Sequence, residues 1–174
     1  MNEGQPWRRR QEFPDAQVQG AADQFEAARR LLAKQPPGSG LLLPLMNSAA
    51  VAIELYLKCL AAELVHTPDG QISGLSAVTA KPLLKGHILV SLFDRIAESD
   101  RSNLEQSFST ECPQAGGLFR EMLAKCEGAF AASRYPFEAD TDVSRYPLNI
   151  LLECSAFLGH YVGSLASEHR IEWN

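Results

Sequence analysis

The chain has 174 residues, 45% hydrophobic and 21% charged, which suits one domain with a sizeable core and excludes disorder of the whole chain. The formal net charge of −5 counts against a nucleic-acid binder with a broad basic face, because phosphate contacts need Lys and Arg. Cys59, Cys112, Cys126 and Cys154 form no CxxC pair and no Cys/His cluster with zinc-ligand spacing, so a disulfide framework and a metal centre both fit poorly, and a reducing cytoplasm is the expected compartment.

Residues 1–15 are polar, with Pro6, Pro14 and the run Arg8-Arg9-Arg10 beside Trp7. They read as a flexible N-terminal arm ahead of a single domain over 16–174. From Ala16 to Lys34, Val18, Ala21, Ala22, Phe25, Ala28, Leu31 and Leu32 recur at three- and four-residue spacing, which predicts an amphipathic helix. Gln35-Pro36-Pro37-Gly38-Ser39-Gly40 ends it.

A second helix is expected from about Pro44 to His66. Its apolar residues nearly surround the cylinder, as in the central helix of a bundle. Glu54 and Lys58 interrupt the run, and a membrane span wants roughly twenty apolar residues without such breaks. Thr67-Pro68-Asp69-Gly70 closes this helix, and residues 71–80 suit a short hairpin or an ordered loop equally.

A third helix starts near Gly86-His87, with Ile88, Leu89, Leu92, Phe93 and Ile96 facing inward. Ser102 and Glu105 have capping-box spacing, predicting a short helix that buries Leu104 and Phe108. A fourth main helix is expected from Leu118 to Ser133. The last runs from about Pro147 to Glu168, with Pro147 in its first turn. The expectation is an all-α, up-and-down antiparallel bundle of four to five helices.

Three segments, in order, carry a family resemblance. They are Ala52-Ile53-Glu54-Leu55-Tyr56-Leu57-Lys58-Cys59-Leu60, Lys85-Gly86-His87-Ile88-Leu89-Val90-Ser91-Leu92, and Phe130 through Glu138 with its Arg134-Tyr135-Pro136-Phe137-Glu138. Together they resemble the HEPN domains, named for nucleotide binding in higher eukaryotes and prokaryotes, over roughly residues 16–168. The resemblance implies a helical bundle that commonly forms a homodimer. It also implies relatives in defence and toxin–antitoxin systems, often encoded beside a nucleotidyltransferase partner. Many relatives are metal-independent ribonucleases that use an Arg, four to six residues, then a His.

That ribonuclease signature is absent. Five to seven residues after Arg134 stand Ala139, Asp140 and Thr141, and after Arg145 they are Ile150, Leu151 and Leu152. No arginine precedes His66, His87, His160 or His169 at that distance. A Gly-rich phosphate loop, a nucleophile elbow and a metal-binding run are missing too.

The candidate cleft residues are Glu54, Lys58, His87, Arg134, Tyr135 and Glu138. Glu54 and Lys58, at i and i+4 on a mostly buried helix, suit a structural ion pair or a pocket wall that holds a phosphate or carboxylate through Lys58. His87 suits a cap or a contact to a neighbouring loop, or else a proton acceptor. Arg134 favours a helix C-terminus, and Glu138 is placed to bridge it to Lys58. Phe157 and Tyr161 offer aromatic surface for a homodimer. His160 reads as a packed or interface histidine. The leading functional expectation is a non-catalytic binding module for a partner protein or a small phosphorylated ligand. The alternatives are a ribonuclease with a non-standard site, disfavoured by the acidic balance, and a structural subunit whose groove receives another helix.

Overall fold

The computed structural model describes residues 7–10, 14–68, 76–138 and 142–171. Residues 1–6 and 11–13 of the expected arm, 71–75 of the ambiguous segment and 139–141 of the polar loop lie outside the described residues. The chain is mostly helical with one small sheet. In order, the elements are β1 (Trp7–Arg10), α1 (Ala16–Leu32), α2 (Leu42–Cys59), β2 (Ala62–Pro68), β3 (Ser76–Pro82), α3 (Leu89–Asp94), α4 (Glu98–Glu111), α5 (Phe119–Cys126), α6 (Ala129–Arg134) and α7 (Leu148–Ile171).

The sheet corrects the all-α expectation. It is antiparallel in the order β1-β2-β3. The second helix stops at Cys59 rather than His66, and Ala62 through Pro68 pair with Pro82 through Ser76. Val65 and Thr67 are β-branched and favour extended backbone, and Pro68 cannot continue a helix. Four residues of the expected arm, Trp7–Arg10, pair with His66 through Glu63 as an edge strand. The other edge is covered by a side chain of α1. The Gln17 amide accepts from Ala80 N–H at 2.9 Å and donates to the Val78 carbonyl at 3.4 Å, so it stands in for a neighbouring strand.

α1 begins where Asp15 accepts hydrogen bonds from the backbone N–H groups of Gln17 and Val18, both at 2.9 Å. α2 is the hub, packing against α1, α3, α6 and α7. By length and composition alone it would cross a membrane. Ten of its eighteen residues are buried within the fold, Ile53 and Leu57 completely.

The third helix is shorter than expected, and Ile88 stands outside its inward stripe, 60% exposed. The Ser102–Glu105 pair lies inside α4 and starts no helix. Glu105 instead accepts from the first N–H groups of α5, Phe119 at 2.6 Å and Arg120 at 3.0 Å. Leu104 and Phe108 are buried as expected. The fourth main helix is two helices, α5 and α6, because Gly128 adopts φ +82 and breaks the ladder. A Cβ on Gly128 would lie 2.9 Å from the Tyr146 hydroxyl, which accepts from Arg145 at 2.8 Å.

Phe93, Phe108, Phe119, Phe157 and Tyr161 form one aromatic cluster with ring centroids 5.0–5.9 Å apart. Phe157 and Tyr161 are therefore core residues, which removes the aromatic surface they were expected to give a homodimer. All four cysteines are free; Cys59, Cys126 and Cys154 are buried. A hydrogen bond with Cys126 and then burial push the Cys154 thiol far above its usual range.

Candidate functional site

Glu54 and Lys58 lie one turn apart on α2, and Lys58 Nζ sits 2.6 Å from Glu54 Oε1. Both side chains are nearly covered, and a buried carboxylate needs such a partner. The turn before α3 contains Gly86 at φ +94, a conformation glycine adopts at least cost. It delivers His87 to the same carboxylate: Nδ1 is 2.9 Å from Glu54 Oε2 and 3.1 Å from Oε1. A carboxylate accepts, so Nδ1 carries the proton, an assignment made from the network, and Nε2 is left to face outward.

The imidazole then stacks on Phe130 at 5.8 Å between centroids, with 16° between the planes. Phe130 belongs to α6, and Arg134 follows one turn later. Its guanidinium lies 5.2 Å from the Phe130 ring centroid and 5.7 Å from that of Tyr135. Cation–π contact holds the fork in place without consuming its N–H donors. Among the described residues no carboxylate pairs with Arg134.

Five of the six expected residues thus form one chain of contacts: Lys58, Glu54, His87, then through Phe130 to Arg134 and Tyr135. Glu138 is not part of it. Its side chain is exposed and, among the described residues, bridges neither Arg134 nor Lys58; its backbone N–H donates to the Tyr135 carbonyl at 3.2 Å. Nor does His87 cap α3. That role falls to Glu127, which accepts from Leu89 and Val90 N–H, each at 3.3 Å.

A cavity of about 200 Å³ lies between these elements, lined by Ala50, Glu54, His87, Glu127 and Phe130 among others. Lys58 is not among the residues that line it; its ammonium pairs with Glu54 Oε1 at 2.6 Å. The cavity carries two carboxylates and falls below the usual 300–1,000 Å³ of a small-molecule site. Ile88, which also lines it, is 60% exposed, and beyond Phe130 in the chain Tyr135 is 50% and Phe137 97% exposed.

A second polar cluster went unread in the sequence. Glu26 is buried on α1 and accepts from Arg29 Nε at 2.6 Å and Nη2 at 2.5 Å, from Arg30 at 2.9 Å and from the Ser155 hydroxyl of α7 at 2.7 Å. Burial alone would raise its pKa, but the hydrogen bonds from Arg29 and Ser155 and the guanidinium charges outweigh it and hold the carboxyl below its usual range. Beside it, Tyr56 donates to Asp23 at 2.8 Å. Burial first, then the Asp23 carboxylate, push that hydroxyl well above its usual range, so it stays protonated. Two signals pointed here: Glu26 stands three and four residues before Arg29 and Arg30, and Ser155 is a polar residue in the apolar stripe of α7. His160 is exposed, with Nε2 3.9 Å from Glu111, and packs in no core.

No group of three or more metal-ligating side chains occurs among the described residues. Comparison with known proteins finds no matching family model, no matching curated protein and no matching solved structure, so the likeness to HEPN domains rests on the three motifs alone.

Proposed function

We propose that the chain is a non-catalytic HEPN-like binding module that docks a partner protein through the surface formed by Ile88, Arg134, Tyr135 and Phe137. The observation that carries this reading is a guanidinium held against the Phe130 and Tyr135 rings with no carboxylate partner among the described residues, in a stretch of chain where Tyr135 is 50% and Phe137, three residues after Arg134, 97% exposed. Aromatic residues and arginine are the side chains most enriched at binding hot spots. A lone exposed aromatic is unremarkable, but exposed Tyr135 and Phe137 one and three residues after a positioned Arg match an interface composition. The partner's complement is an apolar patch that carries a carboxylate for Arg134. Between the two ligands expected from sequence, the cavity argues for protein over phosphate, since it is small and lined by Glu54 and Glu127.

A homodimer and a heteromeric complex with a nucleotidyltransferase, as in a defence or toxin–antitoxin system, are the two assemblies the family likeness suggests. The test is analytical ultracentrifugation of the purified chain alone and with the product of the adjacent gene. A complex in either sample that weakens at least tenfold in Phe137→Ser and Arg134→Ala, with unchanged circular dichroism, supports the reading. A complex indifferent to both substitutions, or none in either sample, overturns it.

A second reading has one observation in its favour. Glu54 fixes the His87 tautomer so that Nε2 is presented, the arrangement that orients a general base. That is the ribonuclease alternative, with Arg134 as the charge stabiliser.

A further inference from the structure

We infer that a leucine-lined pit where α1, α2 and α7 meet binds a small, uncharged, mainly aliphatic molecule. The pit has a volume of about 590 Å³, within the usual range for small-molecule sites and equal to the room of roughly twenty waters. Its apolar walls are Leu32 from the end of α1, Leu41, Leu42 and Leu45 from the start of α2, and Leu148 and Leu152 from the start of α7. None of these residues lines the cavity beside His87, so this site is separate from the proposed docking surface.

The connection from α1 to α2 makes the remaining wall. Pro36 and Pro37 restrict φ and stiffen it. Gly38 and Gly40 follow at φ +85 and +75, and a Cβ built on either would meet nothing within 4 Å. Stiff prolines and open glycine backbone give a wall that is held in place yet lets a ligand approach the peptide groups.

The ligand class follows from what the pit lacks. Among the described residues no ionisable side chain lines it; its polar side chains are Gln35 and Ser39, both on the loop. The neighbouring cavity of about 430 Å³ differs, with Asp23, Glu26, Arg30 and Lys34 in its walls. An anionic or cationic head drawn into the leucine pit would lose water and gain no counter-charge. An aliphatic body with one uncharged polar end, such as an alcohol or an amide, buries its chain against leucine and leaves its polar end at the loop. A partner helix fits less well, because it needs a groove several turns long with anchors at i, i+4 and i+7. This pit is bounded by three helix ends and a loop.

Leucine-methyl NMR of the full chain, titrated with 1-hexanol through 1-decanol and with the alkanoates of equal length, tests the inference. The expected result is saturable shifts at the Leu42, Leu45, Leu148 and Leu152 methyls. Affinity should rise about fourfold per added methylene, as roughly 0.8 kcal/mol per buried CH₂ implies, until the chain outgrows the pit. Alkanoates should bind at least tenfold more weakly. Leu42→Glu, at a position 47% exposed and so tolerant of change, and Ser39→Trp, which fills the pit from the loop, should each weaken binding at least tenfold. The inference is overturned by the absence of saturable shifts in the wild type, by binding that survives both substitutions, or by alkanoates that bind as well as alkanols. Shifts at these methyls that follow protein concentration without alkanol would also overturn it, since a second copy would then occupy the pit.

Discussion

The Ser155 hydroxyl donates to Glu26 Oε2 at 2.7 Å across 129 residues of sequence, tying α7 to α1 inside the core. Glu26 already receives two bonds from Arg29 and one from Arg30. The carboxylate is thus satisfied by three partners, and Arg29 is the partner most dependent on it, being itself buried.

Removing the charge at Glu26 strands Arg29. A buried ion pair broken on one side costs about 3–5 kcal/mol, so Glu26→Ala should lose that much stability in urea unfolding at pH 7. The pH dependence has a definite sign. The folded carboxyl lies below its unfolded range, so its contribution is present above the unfolded value and is lost as pH falls through the folded one. Wild-type stability should therefore decline below about pH 4.5, and Glu26→Gln should show a shallower decline over that window. Identical slopes in the two proteins would refute the assignment.

Leu57 has no exposed surface and sits on the helix that packs against most of the others. Leu57→Ala should cost about 2–5 kcal/mol by chemical denaturation. A loss below about 1 kcal/mol would remove α2 from its central place.

Gly128 separates α5 from α6 with φ +82, and the Tyr146 hydroxyl leaves no room for a Cβ. Gly128→Ala should cost about 1–3 kcal/mol, combining the left-handed backbone with the clash. A double change with Tyr146→Phe relieves the clash but not the backbone strain, so it should recover only part of the loss. Gly128→Ala equal in stability to wild type would mean that α5 and α6 run on as one helix.

The helices that bury a stripe were legible because a 3.6-residue period survives in any context: Val18 with Ala22 in α1, and Leu151 with Leu158 in α7, are buried where the pattern put them. The hairpin was legible only in part, as one of two readings of residues 71–80, and its first strand reads as helix. Ala62 through Pro68 continue the apolar run of α2, and strand preference depends on pairing with Ser76 through Pro82, which no local window contains. The caps made by Glu105 and Glu127 were hidden for the same reason, since they reach helices 14 and 37 residues away. At the candidate site the i, i+4 spacing revealed the Glu54–Lys58 pair. The meeting of His87 with Glu54, 33 residues apart, needed the tertiary fold. Phe130, which joins the two halves by stacking, carries no charge to draw attention to it.

The isolated chain is expected not to cleave RNA. Metal-independent cleavage needs a proton acceptor for the 2′-hydroxyl and a cation for the phosphate within reach of one another. The fold supplies a version of each, and this makes the expectation worth testing. His87 has its tautomer fixed by Glu54, and Arg134, on the far side of the contact chain, has no carboxylate partner among the described residues. Two features oppose productive chemistry. Both groups rest against the ring of Phe130, which holds Arg134 by its flat face and His87 by stacking. The cavity beside them carries Glu54 and Glu127, and the whole chain has a net charge of −5, so a polyanion is repelled rather than steered in. Purified protein incubated with mixed RNA at low salt, with and without divalent metal, should leave the RNA intact. Cleavage that disappears in both His87→Ala and Arg134→Ala would promote the ribonuclease reading. Cleavage unchanged in both variants would point to a contaminating nuclease.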